Sequence, residues 1–310
     1  MNIKKILVLN DLKPKAKDAL KFALNLKDKF NSDLFVLFVD EFFLSYKSKN
    51  LQELDRDKVP YFDDLMTIKQ EILQTYFNKI SKQIKKTGYE KSDINIVISE
   101  GKASENTINL TKHEKIDLLI IGANKPKGLK NFFRSATVEK IMKKTDIPVM
   151  IVRSGSTKYY GFQAKKILFP TDFSSHSKYA MEMVKNFAAV YKAQVTLLNV
   201  ETEVKIPKNG PSKKYLNFKR HYKNCLSEDF AKCDVSPGKI IEELHENQIF
   251  VEYKQIQGKP AATISKYAME NGYDLIIMSA SGAGGTKDGF LGSVAELTFK
   301  KSFVPVLIVK

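Results

Sequence analysis

The chain alternates two kinds of hydrophobic pattern. Short, nearly continuous apolar runs lie at 4–9, 34–39, 94–98, 117–121 and 148–152. Between them, apolar residues recur every three or four positions, as on one face of a helix. Ala16, Ala19, Leu20, Ala23 and Phe30 follow the first run, and Leu65, Ile68, Ile72, Phe77, Ile80 and Ile84 mark a helix over 64–87. Shorter helices are predicted over 103–113 and 135–144. Apolar runs without alternation are strands covered on both faces, which predicts a parallel sheet between two helical layers. Right-handed crossovers then give a doubly wound α/β unit.

The same pattern is written twice. Lys4-Lys5-Ile6-Leu7-Val8-Leu9-Asn10-Asp11 returns as Lys165-Lys166-Ile167-Leu168-Phe169-Pro170-Thr171-Asp172, and the run 34–39 returns as 195–200. Gly101-Lys102-Ala103 matches Gly258-Lys259-Pro260, Asp117 to Ile121 matches Asp274 to Met278, and Ile147 to Val152 matches Val304 to Val309. The helix after the second copy's first strand buries Ala180, Met181, Val184, Phe187, Ala188 and Tyr191. The offset falls from 161 to 157 residues, so one small net deletion separates the copies. Internal repetition of this kind defines the architecture. The expected fold is two repeated domains, 1–155 and 162–310, each a five-stranded parallel sheet in the order 3-2-1-4-5. Gly155 and Ser156, near Thr157 and Gly161, mark the boundary. The segments 41–63 and 201–214, with Pro60, Pro207, Gly210 and Pro211, show no strand pattern; they are loops over the ligand edge, partner contacts or surface insertions.

Candidate chemistry concentrates in the last forty residues. The apolar run Leu275–Met278 leads into Ser279-Ala280-Ser281-Gly282-Ala283-Gly284-Gly285, then a polar loop with Lys287, Asp288 and Gly289. Gly292-Ser293-Val294-Ala295-Glu296 opens a helical pattern before the closing strand 304–309. A strand, a glycine-rich loop and a helix start can present backbone N–H groups to a phosphate. Ligands of open parallel sheets bind beyond the carboxyl ends of the strands, at the switch point. There, if the first and fourth strands are neighbours, Asp172 lies beside the glycine loop. Its carboxylate either accepts hydrogen bonds from a ribose or an adenine amine, or caps a helix over 174–190.

Composition narrows the alternatives. Hydrophobic residues make up 43% of 310, enough for two buried cores. No apolar run reaches the roughly eighteen residues of a membrane span, and the stretch before Asp11 is too short for a secretory signal. A cytoplasmic location is expected. The net charge of +16 invites a nucleic-acid reading, but it divides into +9 over 1–155 and +7 over 156–310, and the lysines are spread along most helices. A solvated basic surface accounts for that without a nucleic-acid partner. Cys225 and Cys233, eight apart in a predicted helix, fit reduced residues, and His113, His176, His221 and His245 have no ligand spacing, so no metal set is expected. Neither copy places a nucleophile beside a base or pairs carboxylates at the loop, so no catalytic residue is expected and hydrolysis, if any, should be slow. A phosphate loop with Gly-Lys-Ser/Thr is absent, and Thr171-Asp172-Phe173-Ser174 stands where a pyrophosphatase loop would follow the first strand.

Both halves resemble universal stress protein domains, so the chain resembles a tandem member of that family along nearly its whole length. The family's ATP-binding branch carries Gly, two residues, Gly, nine residues, then Gly-Ser or Gly-Thr. Gly282, Gly292 and Ser293 match it, with Ser279 in place of the first glycine. The Pro170-Thr171-Asp172 turn, Val200 and the Gly258-Lys259-Pro260 turn are also similar to the family. The resemblance implies that Asp172 and Val200 contact adenosine. It also implies that Gly282, Gly292, Ser293 and Val294 hold the phosphates of ATP, with a divalent cation such as Mg2+ alongside. Ser279 is compatible if its φ stays negative, although it narrows the space by the ribose.

The first copy departs further. It keeps Asp11, Val39 and Gly122, but Lys125 replaces the second glycine and Ser135-Ala136 replaces Gly-Ser. If the glycine conformation there is left-handed, a side chain costs about 1–2 kcal/mol, and it fills space a phosphate needs. Lys125, Lys127, Lys130 and Arg134 either bind an anion as point charges or form a solvated loop. The first copy is therefore not expected to bind ATP in the family manner. Family domains dimerise through the closing strand, which implies that 148–152 and 305–309 pair the two halves as a pseudo-dimer. The overall expectation is a stress-response or signalling protein that binds an adenine nucleotide in its second half. Its rival is a nucleotide-free interaction module with a possible protein partner.

Overall fold

The computed structural model describes residues 3–41, 62–90, 93–125, 136–155, 161–202, 236–282 and 291–310. Most of the segments 41–63 and 201–214 lies outside these residues. So do Cys225, Cys233, His221, Lys127, Lys130, Arg134, Ser135, Ser156, Thr157 and the loop 283–290. The described residues divide into two compact units, one ending at Phe162 and one running from Gln163 to Lys310.

The first unit contains β1 (Lys5–Leu9), α1 (Pro14–Phe30), β2 (Asp33–Asp40), α2 (Phe62–Lys85) and β3 (Ile94–Glu100). It continues with α3 (Ala103–His113), β4 (Leu118–Ala123), α4 (Ala136–Lys144) and β5 (Val149–Arg153). Its strands pair in parallel in the order β3-β2-β1-β4-β5. The second unit contains β6 (Lys166–Pro170), α5 (Ser177–Tyr191), β7 (Gln194–Glu201), α6 (Pro237–Glu246) and β8 (Val251–Gln257). After these come α7 (Pro260–Glu270), β9 (Leu275–Ser279), α8 (Ser293–Lys301) and β10 (Val306–Val309). Its parallel order is β8-β7-β6-β9-β10, the same 3-2-1-4-5 within the repeat.

Equivalent residues hold equivalent joints. The Asp117 carboxylate accepts the backbone N–H groups of Lys4 and Lys5 at 2.8 and 2.9 Å, fastening the start of β1 beside β4. Asp274 does the same for Lys165 and Lys166 at 2.9 and 3.0 Å. Pro14 opens α1 at a position that needs no N–H. Both α1 and α5 end on a left-handed residue, Asn31 and Lys192, which closes the helix so the next strand can begin.

Two helices depart from the sequence pattern. Ile80 and Ile84 of α2 are buried, but Ile68 is 52% exposed, so only the C-terminal half of that apolar stripe reaches the core. The helix expected from 174 starts at Ser177, and its N-terminal flanking residue is His176, which makes no side-chain cap. The capping alternative for Asp172 is thereby corrected: its Oδ1 accepts the Ser174 N–H at 3.1 Å, closing a turn ahead of the helix.

Candidate functional site

In the second unit β6 and β9 are neighbours, with Ile167 beside Leu275 and Leu168 beside Ile276. Their carboxyl ends open into a cavity of about 350 Å³. Pro170, Thr171, Asp172, Val200, Ser279, Gly282, Gly292, Ser293 and Val294 all line it. Three stretches far apart in the chain thus meet at the switch point of one sheet.

Each stretch is held by local bonds. Thr171 donates its N–H to the Leu198 carbonyl at 2.9 Å, and its own carbonyl accepts from Asn199 Nδ2 at 2.9 Å. Thr171 Oγ1 accepts the Phe173 N–H at 3.0 Å, and Phe173 is buried with a left-handed φ of 59°. That bend leaves Asp172 half-buried at the rim. Its Oδ2 lies so close to Gly282 that a β-carbon there would sit 2.3 Å from it. A side chain at 282 would therefore displace the Asp172 carboxylate from this position. Neither Gly282, Gly292 nor Ser279 has a positive φ, so the left-handed condition raised for the loop does not arise, and a serine at 279 is unstrained.

One part of the lining is the start of α8. Gly292 has φ −62° and ψ 147° and gives the helix no side-chain cap. Its own N–H is taken by the Ala280 carbonyl at 2.7 Å. The first intrahelical bond runs from Glu296 N–H to the Gly292 carbonyl. The N–H groups of Ser293, Val294 and Ala295 precede it, and none of them has an acceptor among the described residues. Another part of the lining is apolar. Leu198, Pro260, Ile264 and Met278 join Val200 there. None of these four was singled out as a contact beforehand. Periodicity could have found two of them, since Leu198 is two residues before Val200 on one strand face and Ile264 is one helical turn after Pro260. Among the described lining residues Asp172 is the only charged side chain.

The first unit has a cavity of about 300 Å³ at the equivalent place, with a different rim. Asp11 is bound by Lys15 Nζ at 3.2 Å and accepts the Lys13 N–H at 3.1 Å. The Glu41 carboxylate accepts the N–H of Ala103 at the start of α3 at 2.9 Å. Pro260 stands at the matching point of the second unit and has no N–H to offer. Lys125 also lacks a positive φ, and its Nζ donates to the Gly155 carbonyl at 3.0 Å. At this cavity Asp11 is thus paired with lysines and Glu41 is engaged by a backbone amide.

The universal stress protein family profile matches residues 2–153 and again 163–310. The chain belongs to the universal stress protein family. Universal stress protein MJ0577 of Methanocaldococcus jannaschii is 37% identical over 156 residues, which cover 47% of this chain and 94% of that protein. Universal stress protein MJ0531 of the same organism is 30% identical over 164 residues, covering 52% of this chain and 87% of its own length. The crystal structure of a universal stress protein from Archaeoglobus fulgidus aligns over 100% of this chain and 99% of its own, with a TM-score of 0.68 at 18% identity. That likeness establishes the tandem universal stress protein fold. Among the described residues, no helix is long and apolar enough to cross a membrane.

Proposed function

We propose that this universal stress protein binds an adenine nucleotide, ATP, in the cavity of its second unit and acts as a cytoplasmic stress-response or signalling protein. The observation that carries the reading is the set of groups lining one cavity. Three helix-start N–H groups without acceptors among the described residues border it, together with Gly282 and the neighbouring Asp172 carboxylate. Leu198, Val200, Ile264 and Met278 add an apolar wall. Free amides at a positive helix end favour phosphate oxygens. The apolar wall suits a planar base, and Asp172 can accept from ribose hydroxyls. No group of three or more His, Cys, Asp or Glu residues among the described ones is arranged to hold a metal ion. A divalent cation would enter together with the phosphates.

The first unit is a degenerate copy in this reading. Lys15 neutralises Asp11 and Glu41 occupies a helix-start amide, so a nucleotide would have to displace bonds already made. Pairing of the halves through 148–152 and 305–309 belongs to the same proposal on the sequence argument alone. Small-angle scattering showing two separated, flexibly linked lobes would count against it.

Calorimetric titration with ATP and magnesium, using the whole chain and Gly292→Asp, tests the nucleotide reading. A β-carbon at 292 would meet the Ala280 carbonyl oxygen at 3.1 Å, so the substitution needs only a small shift. Aspartate at that position accepts the helix-start amides itself and repels phosphate, while helix stability is kept or raised. One site per chain, lost in the variant, supports the reading. No binding by the unaltered protein favours a nucleotide-free interaction module.

A further inference from the structure

We propose that Ser279 is a positioning residue of the nucleotide site: its hydroxyl fixes the peptide joining Ser281 to Gly282 and so aims the Gly282 N–H. The inference rests on the nucleotide reading above and deepens it. Family members with a glycine at this position have no hydroxyl to do this.

The chain leaves β9 through successive fixed peptide groups. Ala280 donates its N–H to the Val309 carbonyl at 2.6 Å, and the Ala280 carbonyl accepts the Gly292 N–H at 2.7 Å. One residue later, Ser279 Oγ reaches forward and donates to the Ser281 carbonyl at 2.7 Å. In a planar trans peptide the C=O and the following N–H point in opposite directions. Holding the Ser281 oxygen back over the strand end therefore points the Gly282 N–H the other way. That N–H has no acceptor among the described residues.

Gly282 has no side chain to restrict rotation of this peptide, and a β-carbon there would have to push the Asp172 carboxylate aside. An untethered 281–282 peptide would sample both orientations. In one of them a carbonyl oxygen would face the phosphates and repel them. The serine hydroxyl selects the other orientation before ligand arrives, which is preorganisation. The first unit has Gly122 at the equivalent position and so has no such tether.

Ser279→Ala removes the hydroxyl but keeps the β-carbon, and Ser279→Thr keeps both. Titration of the full chain with ATP and magnesium should show about a five- to tenfold weaker Kd for Ser279→Ala, as expected for one hydrogen bond of ordinary net worth. Ser279→Thr should restore affinity to within about twofold. The Gly282 amide resonance of the ligand-free protein should move in the alanine variant and return in the threonine variant. Unchanged binding by Ser279→Ala beside a binding wild type overturns this inference alone. Equal losses in both variants also overturn it, because space rather than the hydroxyl would then be the cause. A wild type that binds no ATP, with the Gly282 resonance responding as described, sinks the nucleotide reading, and with it any role of the tether in nucleotide binding.

Discussion

A β-carbon on Gly122 would lie 2.2 Å from the backbone carbonyl oxygen of Lys15. The first glycine of the loop in this half is thus a packing glycine, which lets the first turn of α1 settle against the end of β4. The second unit has Ser279 and His176 at the equivalent positions, and its helix begins differently. Lys17 N–H reaches the Lys13 carbonyl four residues back, whereas Lys178 N–H reaches only Ser175, three residues back. The tighter turn thus occurs in the half whose equivalent position carries a serine. Ser174 Oγ and His176 Nδ1 are buried there without hydrogen-bond partners among the described residues. One β-carbon therefore accompanies a change in the loop that carries Asp172.

Gly122→Ser, which installs the second unit's residue in the first, should destabilise the protein. The obstacle is a backbone oxygen that cannot swing aside, so overpacking of about 1–3 kcal/mol is expected. Urea unfolding should show an earlier transition. An unchanged midpoint would mean α1 readily adopts the tighter first turn of α5.

The duplication and the strand spans were legible because apolar runs in a doubly covered sheet carry their signal locally. The gathering of the site was legible too, since strand order places the ends of the first and fourth strands together whatever the loops do. The start of α5 was not, because the choice between the four-residue bond of Lys17 to Lys13 and the three-residue bond of Lys178 to Ser175 leaves no mark on the apolar period. The exposure of Ile68 was hidden for a geometric reason. A 24-residue helix is about 36 Å long, while the seven-residue β3 is about 23 Å. The helix overshoots the sheet, and periodicity cannot say at which end.

Glu41→Ala should cost the first unit about 0.5–2 kcal/mol, because the carboxylate serves the Ala103 N–H at the start of α3 as a cap would. Chemical denaturation reads the loss. ATP affinity should stay within about twofold of the unaltered chain. A large drop in affinity would mean the first unit takes part in binding.

Asp172 and Asp11 occupy equivalent places but should behave oppositely. Asp172→Ala removes both the turn to Ser174 and the acceptor beside Gly282. A charged hydrogen bond of about 1.5–3 kcal/mol corresponds to a roughly ten- to hundredfold weaker Kd for ATP. Asp11→Ala breaks the ion pairs with Lys15 and Lys13 and the Lys13 turn and should leave the calorimetric Kd unchanged. Equal effects from the two substitutions would place nucleotide in both halves.

The second unit should lose stability in alkali through Tyr273. Burial pushes its phenol up to about 12; Tyr267 and Glu252 add to the shift and a hydrogen bond with Thr196 opposes it. The unfolded chain releases this proton near the ordinary 10, so between pH 10 and about 12 the folded state binds more protons than the unfolded one. Under that inequality stability falls as pH rises. The contribution is complete below pH 10 and is lost progressively toward 12. Burial also raises the Tyr191 phenol in the same unit, which adds to the trend. Lysines titrate in the same window, so the informative quantity is a difference. Urea midpoints of the unaltered chain and Tyr273→Phe, measured from pH 8 to 11.5, should diverge above pH 10, with the phenylalanine variant falling less steeply. Curves that stay parallel would show that Tyr273 ionises as easily in the folded chain as in the unfolded one.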